Sequence, residues 1–194
     1  MTTISDRMRN AVEEAASVLR RGGVILYPTD TVWGLGCDAT DPQAVARVFA
    51  IKRRSDSKSL ITLVSDADML GRYVRQIPQM AIELLEVNDR PMTIIYPGAM
   101  GLAPAVIAED GTAGIRIPMH EFCVQLIRRL RRPIVSTSAN ISGLAAPSSF
   151  DQISPDIISA VDWVADSVFE QGATGTASQI ISVGLHGEIA IIRK

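Results

Sequence analysis

Short runs rich in β-branched residues constrain this chain more than any other feature. They lie at 24–27, 60–64, 92–96, 114–117 and 133–137, and each is cut off by proline, glycine or a cluster of polar side chains. Runs of this length are too short for helices and read as buried strands. Between them the apolar residues recur at helical spacing. Ala11, Val12, Ala15, Val18 and Leu19 mark a helix over 3–21, which Gly22-Gly23 ends. Asp41-Pro42 opens a second helix running to Ile51, with Val45, Val48 and Phe49 on one face. Further helices are expected over 66–73, 78–87, 155–161 and 120–131, the last with Val124, Ile127 and Leu130 inside. A strand is expected over 163–166, and 179–183 with 188–192 form a closing hairpin around 184–187.

Strand and helix therefore alternate, with some antiparallel pairing. The expected fold is a single α/β domain over residues 1–194, built on a twisted mixed parallel and antiparallel sheet flanked by helices. A chain of 194 residues can bury a core of its own. Nineteen basic residues stand against 21 acidic ones, for a net charge of -2. That balance argues against coating nucleic acid through bulk charge. Cys37 and Cys123 lie in no CxxC arrangement and read as buried reduced thiols, which suits a reducing compartment. The polar N-terminus has no signal-peptide core. No run approaches the ~18 apolar residues that span a bilayer, so the expected location is the cytoplasm, with no membrane.

Three segments can carry chemistry. Tyr27-Pro28-Thr29-Asp30-Thr31-Val32-Trp33-Gly34-Leu35-Gly36-Cys37 follows a buried strand, where α/β sheets commonly place ligands. An ordinary threonine-rich turn would look the same. Lys52-Arg53-Arg54, followed by Ser55, Asp56, Ser57, Lys58 and Ser59, puts three cations at a helix end and a fourth close by. The helix dipole alone would welcome them. They also suit phosphate oxygens, at ~1.5–3 kcal/mol per charged hydrogen bond. Pro133 to Gly143 ends a strand in Ser136, Thr137, Ser138, Asn140 and Ser142, donors and acceptors for phosphate or base edges, or a capping turn. The basic cluster and the 136–140 turn together predict a nucleotide site.

Other sites are excluded. Neither GxxxxGK[ST] nor GxGxxG occurs, so there is no P-loop and no Rossmann fingerprint. GxSxG is absent, which removes a serine-hydrolase elbow. His120 and His186 have no metal-ligand spacing and read as surface residues. Arg128, Arg129, Arg131 and Arg132 read as a solvated helix face, with weak RNA contact as the minority reading.

Taken together these segments resemble the YrdC/YciO family, the threonylcarbamoyl-AMP synthases. The likeness rests on Pro28 to Gly36, Lys52-x-Arg54, Gly114-Ile115-Arg116-Ile117-Pro118, Ser136 to Gly143 and Ile191-Ile192-Arg193. It implies a YrdC-like fold with a large positively charged cavity. It implies synthesis of threonylcarbamoyl-AMP and pyrophosphate from L-threonine, bicarbonate and ATP, with Mg²⁺ carried by the ATP and no protein-ligated metal. The product would serve tRNA modification through partner proteins. The resemblance assigns Thr31, Arg116 and Ser178 to threonine. Lys52 and Arg54 would be catalytic and, with Lys58, would line the phosphates. Ser138, Asn140, Ser148 and Arg193 would bind nucleotide.

Three departures from the common family pattern stand out: Ser55 where proline is frequent, Lys58-Ser59 where Asn-Pro is frequent, and Leu63 where histidine is frequent. The last removes a polar contact on the threonine side. Ending at Lys194, the chain is also expected to lack the further C-terminal domain of longer relatives. A YciO-like protein that holds nucleotide or double-stranded RNA without making the adenylate is the alternative. Carbamoyl transfer in hydrogenase maturation ranks last, because its fused modules are absent.

Overall fold

The structure, a computed structural model, describes residues 4–53 and 60–194. Among the described residues, nine strands form one sheet. They are β1 (Ile25–Tyr27), β2 (Gly34–Gly36), β3 (Ile61–Leu63), β4 (Met92–Tyr96), β5 (Ala113–Arg116), β6 (Ile134–Ser138), β7 (Trp163–Val164), β8 (Gln179–Val183) and β9 (Ile189–Arg193). Their spatial order is β7-β1-β2-β6-β3-β5-β4-β8-β9. The pairs β7/β1, β3/β5 and β4/β8 are parallel, and the remaining neighbours are antiparallel. The expected α/β fold with a mixed sheet is the observed one.

The helices are α1 (Ile4–Arg20), α2 (Pro42–Ile51), α3 (Ala67–Leu70), α4 (Gln79–Val87), α5 (Glu121–Leu130) and α6 (Pro155–Ala160). α1 packs along α5. α1 buries Val12, Ala15, Ala16 and Leu19, the i, i+3, i+4, i+7 stripe its sequence shows. Gly22 turns the chain out of it at φ +75°, while the N–H of Gly23 returns to the carbonyl of Val18. α2 starts as expected: the Asp41 carboxylate accepts the N–H groups of Gln43 and Ala44, and Pro42 occupies the first turn. None of the described helices is long and apolar enough to cross a membrane.

Four expectations need correction. β2 was not expected. Glycine is a poor strand former, yet Gly34-Leu35-Gly36 pairs with β1 on one side and β6 on the other. Gly36 is required there, because a Cβ would sit 2.5 Å from the Tyr27 ring and 2.9 Å from the Val135 carbonyl. The 66–73 helix contracts to Ala67–Leu70, capped by the Asp66 carboxylate on the N–H of Met69. The 163–166 strand contracts to two residues, Trp163–Val164. On α5 the buried stripe is Phe122, Cys123, Leu126, Ile127 and Leu130, and Val124 is only half-buried.

The two cysteines are buried and unpaired, as expected. Burial pushes both thiols well above their ordinary value, so neither is poised to react.

Candidate active site

Residues opposite each other on adjacent strands share a face of the sheet. Gly34 lies opposite Ser138, Ser136 opposite Ile61, and Ile61 opposite Gly114, with Arg116 two residues beyond. One face of the central strands is thus lined by mostly small residues, with Ile61 and one cation among them. Above Gly34, Ser136, Ser138, Ile61 and Arg116 lies a cavity of about 490 Å³. Its walls bring together Thr31, Lys52, Asn140, Ser178 and Arg193, five positions from five separate stretches of chain.

One end of the cavity is built around Arg116, which is 3% exposed. Its Nη1 donates to Thr31 Oγ1 at 3.2 Å, and its Nη2 lies 3.4 Å from the buried carboxylate of Asp30. This is an ion pair without a good hydrogen bond, since Asp30 Oδ1 and Arg116 Nε both lack a hydrogen-bond partner. Buried polar groups are rarely left so. A guanidinium with spare donors facing a cavity suits a carboxylate or phosphate. The other oxygen of Asp30 accepts the N–H of Met119 at 3.1 Å. The backbone carbonyls of Asp30 and Thr31 accept the N–H groups of Thr174 and Gly175, which ties the segment leading to Ser178 onto this turn.

Ser178 and Arg193 close the same end. Ser178 Oγ lies 2.8 Å from Thr93 Oγ1, and Arg193 Nε donates to the Ser178 carbonyl at 2.9 Å. Arg193 owes its direction to a β-bulge. It lies opposite Ile180, whereas Ile191 lies opposite Ile181, so Ile192 has no ladder partner. The extra residue reverses the alternation and turns Arg193 away from the face that Ile191 occupies. Desolvation lowers the Arg193 pKa, and the nearby Arg116 lowers it further. Two guanidiniums converging in one cavity favour an anionic occupant.

The other end is organised by Lys52, which is 2% exposed. Its Nζ donates to the backbone carbonyls of Ser138, at 2.5 Å, and Asn140, at 2.7 Å. Its own carbonyl accepts the N–H of Ser142. Lys52 thus pins the end of α2 to the polar turn after β6. The Asn140 amide donates to the carbonyls of Ile141 and Leu144, while its Oδ1 is buried without a hydrogen-bond partner. The basic cluster divides here. Arg53 sits in the left-handed region at φ 50° and pairs at the surface with Asp156, away from the cavity lining. Arg54 and Lys58 fall outside the described residues, as do Ser55 and Ser59.

Of the other residues singled out in the sequence, Ser148 is exposed, donates to the Gln152 side chain and does not line the cavity. Leu63 is buried on the sheet face below the cavity, directly opposite Arg116. His186 is exposed, as expected, but His120 is not a surface residue. It is 7% exposed, with Nε2 2.9 Å from the Phe169 carbonyl. Burial lowers its pKa, against the opposing pull of the Phe169 carbonyl, Asp30 and Glu121. A histidine isolated in sequence can still be buried by a distant segment of the chain.

The individual roles of Asp30, Thr93 and Trp33 were not anticipated. Trp33 lines the cavity, donates to Glu170 at 2.7 Å and packs against Phe150 with ring centroids 5.0 Å apart. The available signal was the acid between two threonines directly after a buried strand. Among the described residues, no group of three or more His, Cys, Asp or Glu side chains could hold a metal ion.

Comparison with known proteins gives a consistent result. The family model for Sua5/YciO/YrdC, described as telomere recombination, matches residues 17–194. A threonylcarbamoyl-AMP synthase of Xanthomonas euvesicatoria is 34% identical over 172 residues, covering 87% of this chain and 91% of that protein. One from Pyrococcus abyssi is 32% identical over 171 residues, covering 84% of this chain. The chain spans about half the length of that archaeal relative, 50% by the match. The structure of P. abyssi Sua5 complexed with L-threonine superposes with a TM-score of 0.79 at 29% identity, over 89% of this chain and 50% of that one. Escherichia coli YciO shares the fold, with a TM-score of 0.78 at 23% identity over 96% of this chain and 89% of its own.

Proposed function

Because the chain belongs to the Sua5/YciO/YrdC family, we propose that it is an L-threonylcarbamoyl-AMP synthase. It joins L-threonine, bicarbonate and ATP into threonylcarbamoyl-AMP with release of pyrophosphate. The observation that carries this reading is a single cavity with two chemically different ends. At one, Arg116, Thr31 and Ser178 suit a small zwitterion. At the other, Lys52, Ser138 and Asn140 suit a nucleotide, with Arg193 lining the same cavity from the Arg116 end.

The threonine ammonium gives a proton to solvent, and the free amine condenses with bicarbonate to a carbamate with loss of water. A carbamate oxygen then attacks the α-phosphorus of ATP, a new P–O bond forms, and the bond to pyrophosphate breaks. No nucleophilic side chain is needed. Phosphoryl chemistry of this kind depends on positioning and charge neutralisation. Arg116 binds the threonine carboxylate, and Thr31 and Ser178 complete that subsite. Lys52 holds the turn whose groups meet the nucleotide and contributes positive charge. Arg54 and Lys58 extend the phosphate contact, and Arg193 closes over the nucleotide. Ser148 contributes from the loop rim rather than from the lining. Magnesium arrives on the ATP phosphates. We read residues 1–194 as one domain acting in the ATP-supplied cytoplasm. The adenylate is handed to proteins that modify adenosine in tRNA, and any contact of the chain itself with RNA is weak.

The direct test is pyrophosphate release by purified protein. Release is expected to require threonine, bicarbonate and Mg-ATP together. Release independent of threonine, or none from well-folded protein, would sink the reading. Tight double-stranded RNA binding without turnover would move it to the YciO-like alternative.

A further inference from the structure

The turn at 29–31 has a hydrogen-bond account that closes to the last proton. A threonine hydroxyl has one proton to give and two lone pairs. Thr29 Oγ1 lies 2.8 Å from the carbonyl oxygen of Val32, which can only accept, so the Thr29 proton is committed there. Thr29 Oγ1 then accepts twice, from the N–H of Thr31 at 3.0 Å and from the hydroxyl of Thr31 at 2.8 Å. The Thr31 proton is therefore committed to Thr29. Thr31 Oγ1 also accepts from Arg116 Nη1. One lone pair remains, on a residue that lines the cavity.

We propose that Thr29 is a positioning residue that fixes the Thr31 hydroxyl as a pure acceptor, so that it takes an N–H of an α-amino acid whose carboxylate is bound by Arg116. The inference rests on the synthase reading and deepens it at one atom. It has a consequence for recognition. A ligand that carries the carboxylate and the side-chain hydroxyl but no amine leaves that lone pair unanswered, and the site rejects it. It also bears on reactivity. With an N–H directed at Thr31, the amine lone pair is turned elsewhere, free to meet the carbon of bicarbonate.

Thr29 itself is 1% exposed and does not line the cavity, so it acts only through the residues it hydrogen-bonds, Thr31 and the carbonyl of Val32. In Thr29→Val the shape is kept and the acceptor is lost. The Thr31 hydroxyl is then free to rotate its proton toward the ligand.

The experiment is titration calorimetry of the full chain with L-threonine and, by competition, with 3-hydroxybutyrate, which lacks only the amine. Thr29→Val is expected to weaken L-threonine about tenfold while moving 3-hydroxybutyrate less than about twofold, and Thr29→Ser to restore threonine affinity to within about threefold. A merely loosened turn would weaken both ligands by the same factor, and that result would overturn the proposal. So would an unchanged threonine affinity. Because the ratio is read within each variant, Thr29→Ala serves equally where valine does not fold. Wild-type protein that fails to bind threonine at all would condemn the synthase reading. Wild-type binding with an unaltered ratio in the variants condemns only the role of Thr29.

Discussion

At the Arg116 end of the cavity, the recognising groups sit on strands or within a few residues of one. Arg116 closes β5, Thr31 lies between β1 and β2, and Ser178 and Arg193 flank the β8–β9 hairpin. At the Lys52 end they come from a helix terminus and the turn after β6. The hydrogen bonds differ in kind as well. Arg116 keeps a donor in reserve, and its acid partner is imperfectly placed. Lys52 gives hydrogen bonds to two backbone carbonyls of the protein itself. The first end is prepared to recognise a ligand by direct contact. The second is prepared to hold a loop in shape, and its cation acts on a ligand largely through its field and through the turn it fixes. Discriminating a small amino acid requires placed donors and acceptors. Holding a polyphosphate requires charge and backbone geometry.

The largest expected effect is that of Arg116→Ala. It leaves the Asp30 carboxylate buried without its partner, and breaking a buried pair costs ~3–5 kcal/mol. Urea unfolding should register that loss, and threonine-dependent pyrophosphate release should fall by at least ~100-fold, at 1.4 kcal/mol per factor of ten. A stability change below ~1 kcal/mol would mean that the pair is not the organising contact of this end. Next comes Lys52→Met, which keeps the apolar stem and removes the charged hydrogen bonds. Stability is expected to drop by roughly 3 kcal/mol, with the KM for ATP rising in parallel. Lost activity at unchanged stability would erase the contrast, since Lys52 would then act on the ligand directly. The smallest effect is that of Arg193→Ala. β9 is exposed along its length, so stability should stay within ~0.5 kcal/mol of wild type. The KM for ATP should rise about tenfold, as for loss of one charged hydrogen bond. A rise in the KM for threonine instead of ATP would confine Arg193 to the Arg116 end, where it stands.

Much of this architecture is written locally. Apolar runs stopped by proline or glycine marked most of the strands, and Asp41-Pro42 and Gly22-Gly23 marked helix ends that the structure reproduces. The candidate site was legible to a similar depth. Thr31, Lys52, Ser138 and Asn140, from segments read in the sequence, and Arg116, Ser178 and Arg193, expected from the family resemblance, line one cavity. What escaped were features whose cause lies far away in the chain. β2 fits between β1 and β6 only because Gly36 has no Cβ to meet the Tyr27 ring and the Val135 carbonyl. His120 is buried because Phe169, 49 residues later, receives it. The bulge at Ile192 depends on the register between β8 and β9, and no alternation rule applied to one strand reveals it.

By itself, then, the sequence determined where most strands and helices begin and end, and which residue types were on offer for binding anions. Those outcomes follow from backbone sterics, capping and the spacing of apolar side chains, all of which act over a few residues. Only the tertiary structure decided which groups meet: Thr31 with Arg116 across 85 positions, and Lys52 with the Asn140 carbonyl across 88. It also decided what each group has left to offer a ligand. A hydroxyl, a lysine and a guanidinium are ambiguous in isolation, and a complete count of their hydrogen-bond partners in the folded chain is what assigns them a direction.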